Sequence, residues 1–197
     1  MSLIEGKHAQ IIEAAVTEFT EHGFRGTSMD RVAARADVSK RTVYNHFESK
    51  EGLFRAILEI LSTEVNQVLD ITYDPSRPVR DQLLDLGGAE GGLLTNPDFM
   101  RLARLVMGET MRDPALAAEM NARMMHITVF NAFMTAARDD GTLAIDDIPR
   151  ATEQFLGLIK SQAFWPMIYS GQVVTPDEMD RIIRTSVDMF LGEYGTP

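Results

Sequence analysis

The segment from Ser28 to Phe47 constrains this 197-residue chain more than any other. Thr27 and Ser28 can each cap a helix, and Asp30 falls near its positive end. That helix is short, Met29 to about Ala36, with Val32, Ala33 and Ala36 small or apolar on one side. Asp37-Val38 makes a tight corner, and Ser39 caps a second short helix whose Val43 and Phe47, four apart, face inward. Two helices joined by so short a corner meet at a steep angle. Their crossing needs a small residue (Ala33), a corner residue that tolerates positive φ (Asp37) and a β-branched plug (Val43). Such a pair leaves the first turn of its second helix open, in the shape that enters a DNA major groove.

Helical periodicity dominates elsewhere, and nothing reads as a sheet. Ile11, Ile12, Ala15, Val16 and Phe19 lie on one face of a first helix that stops at His22-Gly23-Phe24. Ser49 caps a long fourth helix carrying Leu53, Ile57, Ile60, Leu61, Val65 and Val68. Tyr73 to Pro78 is the clearest linker. Asn96-Pro97, Asp113-Pro114, Asp147 to Pro149 and Thr175-Pro176 each place a capping side chain just before a proline, a repeated helix-start signal. Gly141 and Gly171 fall where helices end, and Pro166 falls inside one, where it removes a hydrogen bond and kinks it. The expected fold is all-α with about nine helices. A three-helix domain over 1–50 precedes a helical domain over 51–197, linked by the helix from 49.

Charge separates these two regions. The net charge is −10, from 19 Lys+Arg and 29 Asp+Glu, which taken whole repels phosphate. Residues 1–50 are neutral, however, and residues 25–50 hold six basic groups against three acidic ones. A locally basic segment on an acidic body implies two jobs. Within it, Lys40, Arg41, Thr42, Tyr44 and Asn45 are donors on the second short helix, Ser39 to Phe47, with Arg41 suited to a bidentate contact with guanine. Tyr44, His46, Lys50, Thr27 and Ser28 are placed for phosphates. Asn45 reads equally as a solvated polar residue, and a basic pair such as Lys40-Arg41 is elsewhere usually solvated.

The runs Thr27 to Ala33, Ala36 to Phe47 and Ser49 to Phe54, with Ala14-Ala15, Phe19 and Gly23-Phe24 before them, resemble the N-terminal domain of the TetR family of bacterial repressors. The likeness is dense over about 8–57. It departs at Asp37, where the family usually has glycine and where aspartate tolerates the left-handed region at modest cost. Phe99 to Gly171 is similar to the C-terminal domain of the AefR-like branch, above all Asp139 to Leu143 and Gln154 to Leu158. The resemblance implies a homodimer on double-stranded operator DNA, a small-molecule effector pocket in the C-terminal domain, and release of DNA when the effector binds.

Ten of the 12 methionines lie between 100 and 189. Met100, Ala103, Met107 and Met111 share a face of the sixth helix, and Met120, Met124, Ile127, Asn131 and Met134 run along the seventh. They read as core, or as a compliant apolar pocket that re-packs around varied ligands. Phe99, Phe155 and Trp165 carry the same ambiguity, and Arg104, Asn131 and Gln162 are polar groups able to orient a ligand. In the last two helices Ile159, Ala163, Met167, Ile182, Ile183, Met189 and Phe190 occupy more than one side, as in a four-helix dimer interface.

Other classes fit poorly. No cysteine is present, so disulfides, thiolate chemistry and cysteine-bound metal are excluded. The four histidines show no i, i+4 pairing, and Gly87 to Gly92 lacks the lysine of a phosphate loop and reads as a loosened or broken fifth helix. Neither a catalytic set nor a cofactor or metal site is expected. No apolar run reaches the ~18 residues of a membrane span and no leader opens the chain, so a cytoplasmic protein is expected. The rival is a ligand carrier or interaction module that keeps the helix pair as scaffold; steep salt dependence on DNA separates the two.

Overall fold

The computed structural model describes residues 6–68, 71–123 and 126–196, except for the side chains of 67, 68, 126 and 127. Among them are ten helices: α1 (Lys7–Gly26), α2 (Met29–Arg35), α3 (Lys40–His46), α4 (Lys50–Val68), α5 (Val79–Leu94), α6 (Pro97–Thr110), α7 (Pro114–Arg123), α8 (His126–Asp139), α9 (Ile148–Ser170) and α10 (Pro176–Tyr194). One isolated bridge, Leu143 with Gly195, is the only extended pairing among the described residues. None of these helices is long and apolar enough to cross a membrane. The chain forms two compact units, Met1–Ser62 with Leu102–Arg123, and Thr63–Arg101 with Met124–Pro197, so that α4 is divided after Ser62 and α6 after Arg101.

The expected helix starts are all present. Asn96 Oδ1 accepts from the N–H groups of Asp98 and Phe99, Asp113 Oδ1 from those of Ala115 and Leu116, Asp147 Oδ1 from Arg150, and Thr175 Oγ1 from Glu178. Each cap satisfies one or two donors that the helix itself leaves open. Gly171 ends α9 in the left-handed conformation, φ 76°.

The first unit is built on α1, whose Ile11, Ala15, Val16 and Phe19 are buried. Its helix breaks at the expected stop, where Gly23 takes φ 71° and ψ 162°, and one further turn follows to Gly26. Val32 and Ala33 of α2, Ala36 just after it, Val43 and Phe47 around α3, and Leu53, Phe54 and Ile57 of α4 complete the core of this unit.

Met120 lies on α7, and Asn131 and Met134 lie on α8; residues 124–125 between them lie outside the described residues. The second unit departs from expectation in α5. The glycine-rich stretch of α5 is neither loosened nor broken. A Cβ on Gly87 would lie 2.9 Å from Ile183 Cγ2, and one on Gly91 would lie 2.8 Å from Ile183 Cδ1 and 2.9 Å from Met179 Cγ. These two glycines, four apart, form a flat stripe that lets α10 approach the α5 backbone. Gly88 and Gly92 face open space. Buried Glu90, between the two glycines, pairs with Lys160 of α9 at 3.2 Å.

Gly87→Val, which drives a branched side chain into Ile183, is expected to cost about 1–3 kcal/mol in urea unfolding. Gly88→Ala, which meets nothing, is expected to add about 0.5–1 kcal/mol.

Candidate nucleic-acid interface

The geometry of α2 and α3 follows from the corner between them. Asp37 is the only non-glycine residue with positive φ among the described residues, at 48°. Its departure from glycine is therefore accommodated by aspartate in the left-handed region. Val38 N–H donates to Ala33 O at 3.1 Å and closes the turn. Ser28 Oγ accepts from Arg31 N–H and caps α2; Ser39 Oγ accepts from Thr42 N–H and caps α3. Val43 is completely buried and plugs the crossing.

What holds α2 on α1 is a buried carboxylate. Glu18, 4% exposed, accepts from Arg35 Nε at 2.7 Å on one oxygen and from Arg31 Nε at 2.8 Å on the other. Arg35 also reaches Glu21, and Arg31 meets His22 Nε2 at 2.6 Å. The Arg35 hydrogen bond, joined by Arg31 and opposed by burial, holds the Glu18 carboxyl below the usual carboxylate range. Glu18, Glu21 and His22 are grouped closely enough to share a cation. Both Glu18 oxygens, however, already accept from guanidiniums, so the cluster reads as the α1–α2 brace. These positioning residues escaped the sequence reading, although Glu18 stands three residues after Ala15 on the apolar side of α1.

The expected contact residues divide into two groups. Arg41, Tyr44, Asn45 and His46 are exposed on α3, with Thr42 half-buried beside Ser39. Arg41 makes no ion pair or hydrogen bond among the described residues. Lys40 is also exposed but is held by Asp30 of α2 at 2.7 Å, a contact that raises its pKa further. Thr27 and Lys50 face inward instead. The Thr27 hydroxyl, 3% exposed, donates to Glu18 O and Gly23 O. The Lys50 ammonium donates to Phe24 O and Thr27 O at 2.7 and 3.0 Å and lies over the Phe24 ring. Both are occupied in closing the end of α1, because its last carbonyls need donors.

The residues expected in an effector pocket are scattered in depth. Phe99, Ala103, Met134 and Phe155 are buried, while Met107 and Asn131 are half-buried. Arg104, Gln162 and Trp165 are exposed, and Met111 lies beyond the end of α6 at 67% exposure. Met124 and the Ile127 side chain lie outside the described residues. Asn131 Oδ1 is buried without a hydrogen-bond partner among the described residues.

The expected dimer residues need correction. Ile159, Ala163, Met167, Ile182, Ile183 and Phe190 are at most 7% exposed within one chain. They are the core of the second unit, since α9 and α10 turn these sides to each other and to α5. Of that set only Met189 is exposed, and it shares a depression with Gly157, Leu158 and Ser161. Trp165 and Tyr169 are exposed further along α9, their rings stacked at 6.5 Å.

A capped helix pair that leaves the first turn of its second helix bare defines the class: this is a helix-turn-helix protein. Residues 11–57 match the bacterial regulatory proteins of the tetR family, and residues 81–196 match the C-terminal domain of the AefR-like transcriptional repressors. The chain is 31% identical over 150 residues to the transcriptional regulator UidR of Escherichia coli K12, covering 75% of this chain and 74% of UidR. It is 41% identical over 73 residues to the regulator YhgD of Bacillus subtilis, covering 37% of this chain and 38% of YhgD. A crystal structure of a TetR family regulator from Pseudomonas syringae pv. tomato is 40% identical, with a TM-score of 0.83 over 99% of this chain and 100% of that one. The chain belongs to the TetR family of bacterial transcriptional regulators, and its all-α fold is the family's. A regulator, not an enzyme, is what the sequence led us to expect.

Glu18→Gln is expected to lower stability at neutral pH by about 1–2 kcal/mol, a charge-assisted contact discounted because both guanidiniums reach solvent. The carboxyl is held below its unfolded value, so its contribution is present above that value and is lost as pH falls through the lowered one. Thermal melts of wild type and variant should therefore converge in acid.

Proposed function

We propose that this protein is a cytoplasmic repressor that binds a pseudo-palindromic operator as a homodimer and is released by a small, largely apolar effector. Residues 1–50 would be the reading domain and 51–197 the effector-binding and dimerisation domain. The observation that carries the proposal is the bare first turn of α3, where Arg41 is exposed with its guanidinium unpaired among the described residues. It is the side chain best placed for guanine. Thr42, Tyr44 and Asn45 extend the reading surface, and Ser28, Ser39 and His46 flank it for phosphates. Lys40 joins them by exchanging Asp30 for a phosphate. Two such helices fit half-sites about 34–36 Å apart.

The dimer face we assign is the exposed side of α9 and α10: Leu158, Trp165, Tyr169 and Met189 around the small residues Gly157 and Ser161. Apolar side chains around small ones suit close packing of four helices about a two-fold axis. The effector site lies in the second unit, where Met134 and Phe155 offer apolar surface and the unpartnered Asn131 Oδ1 offers an acceptor.

Fluorescence anisotropy on DNA from the gene's own upstream region tests the reading. Specific binding should weaken with salt at a log–log slope of about −0.9 per neutralised phosphate. Arg41→Ala should lower operator affinity by about 1–3 kcal/mol without affecting effector affinity. Salt-independent binding would point to a carrier instead. Met189→Asp should raise the dimer dissociation constant in sedimentation roughly a hundredfold, from a penalty of about 3 kcal/mol for an unpaired interfacial charge.

A further inference from the structure

The first unit contains a cavity of about 300 Å³ that the DNA-reading surface does not use. It lies among the end of α1, the first turns of α4, the end of α6 and the start of α7. Its volume is at the lower end of the range for small-molecule sites. The apolar wall is Phe24 and Phe54, edge to face at 5.4 Å, with Leu116.

The charges around this wall are mostly spoken for. Arg55 donates twice to Glu119, at 2.9 and 3.1 Å, and Arg112 pairs with Glu109 at 3.1 Å. Asp113 caps α7 through Oδ1. Two lining residues are left over. Arg25 and Glu51 are exposed, of opposite sign, and make no ion pair or hydrogen bond among the described residues. Every other charged group lining this cavity makes an ion pair or hydrogen bond among the described residues, whereas these two do not, Glu51 only adding to the negative field around Arg55.

We propose that this cavity binds a small zwitterion with an aromatic or apolar body. The anionic group of the ligand sits on the Arg25 guanidinium, its cationic group on the Glu51 carboxylate, and its body on Phe24, Phe54 and Leu116. The site is separate from the effector site assigned to the second unit. It gives the unit that holds the reading helices a ligand input of its own.

Isothermal titration of the full-length protein with three probes tests this without DNA, so its outcome is independent of the operator reading. The probes are L-tryptophan, tryptamine (cation only) and N-acetyl-L-tryptophan (anion only). L-tryptophan should bind more tightly than either single-charge probe, by about three- to fivefold for each exposed ion pair gained. Glu51→Gln should erase its advantage over N-acetyl-L-tryptophan, and Arg25→Gln its advantage over tryptamine. Leu116→Trp, which fills the cavity, should abolish binding of all three. The glutamine changes are at exposed positions, and circular dichroism melts matching wild type would establish that these variants fold. Equal affinities for the three probes, affinities unchanged in the variants, or no saturable binding up to the millimolar range would each overturn the proposal.

Discussion

The Glu18 carboxylate is the point on which the helix-turn-helix depends. Its two oxygens take one guanidinium each from Arg35 and Arg31, so a single buried charge on α1 fixes both the rotation and the height of α2. The orientation of α3 follows, because the corner at Asp37 and the plug at Val43 allow α3 only one seat on α2. Lys50 and Thr27 complete the arrangement from the other side by supplying donors to the end of α1. The exposed first turn of α3 is thus positioned by groups that lie outside it.

This division explains what was legible in the sequence. The corner was readable because each of its requirements is local: a small residue, a tolerant one and a branched one at set spacings. Helix starts were readable for the same reason, since a capping side chain acts within three residues of itself. Thr27 and Lys50 show the limit. A hydroxyl and an ammonium beside a basic helix look like phosphate ligands, and only the fold reveals that the carbonyls of Glu18, Gly23 and Phe24 claim them first.

The body of the protein was harder to read. Ile159, Ala163 and Ile183 mark apolar faces in the sequence, but a helix with two apolar sides does not say which of them its own chain covers. The structure answers by burying that set inside one chain and leaving Met189, Trp165 and Tyr169 outside. Gly87 and Gly91 were misread for a related reason. Low helix propensity predicts a weak helix, yet the tertiary contact with Ile183 and Met179 outweighs it, because only a residue without a side chain admits so close an approach.

That close approach also sets what the second unit is free to do. Ile183 rests on the α5 backbone at Gly87 and Gly91, with the buried Leu86, Glu90 and Leu94 flanking that stripe on one side and Gly88 and Gly92 on the other. Rolling α10 toward the first side would drive Ile183 into those side chains, so the α5–α10 contact is a stop against motion in that direction.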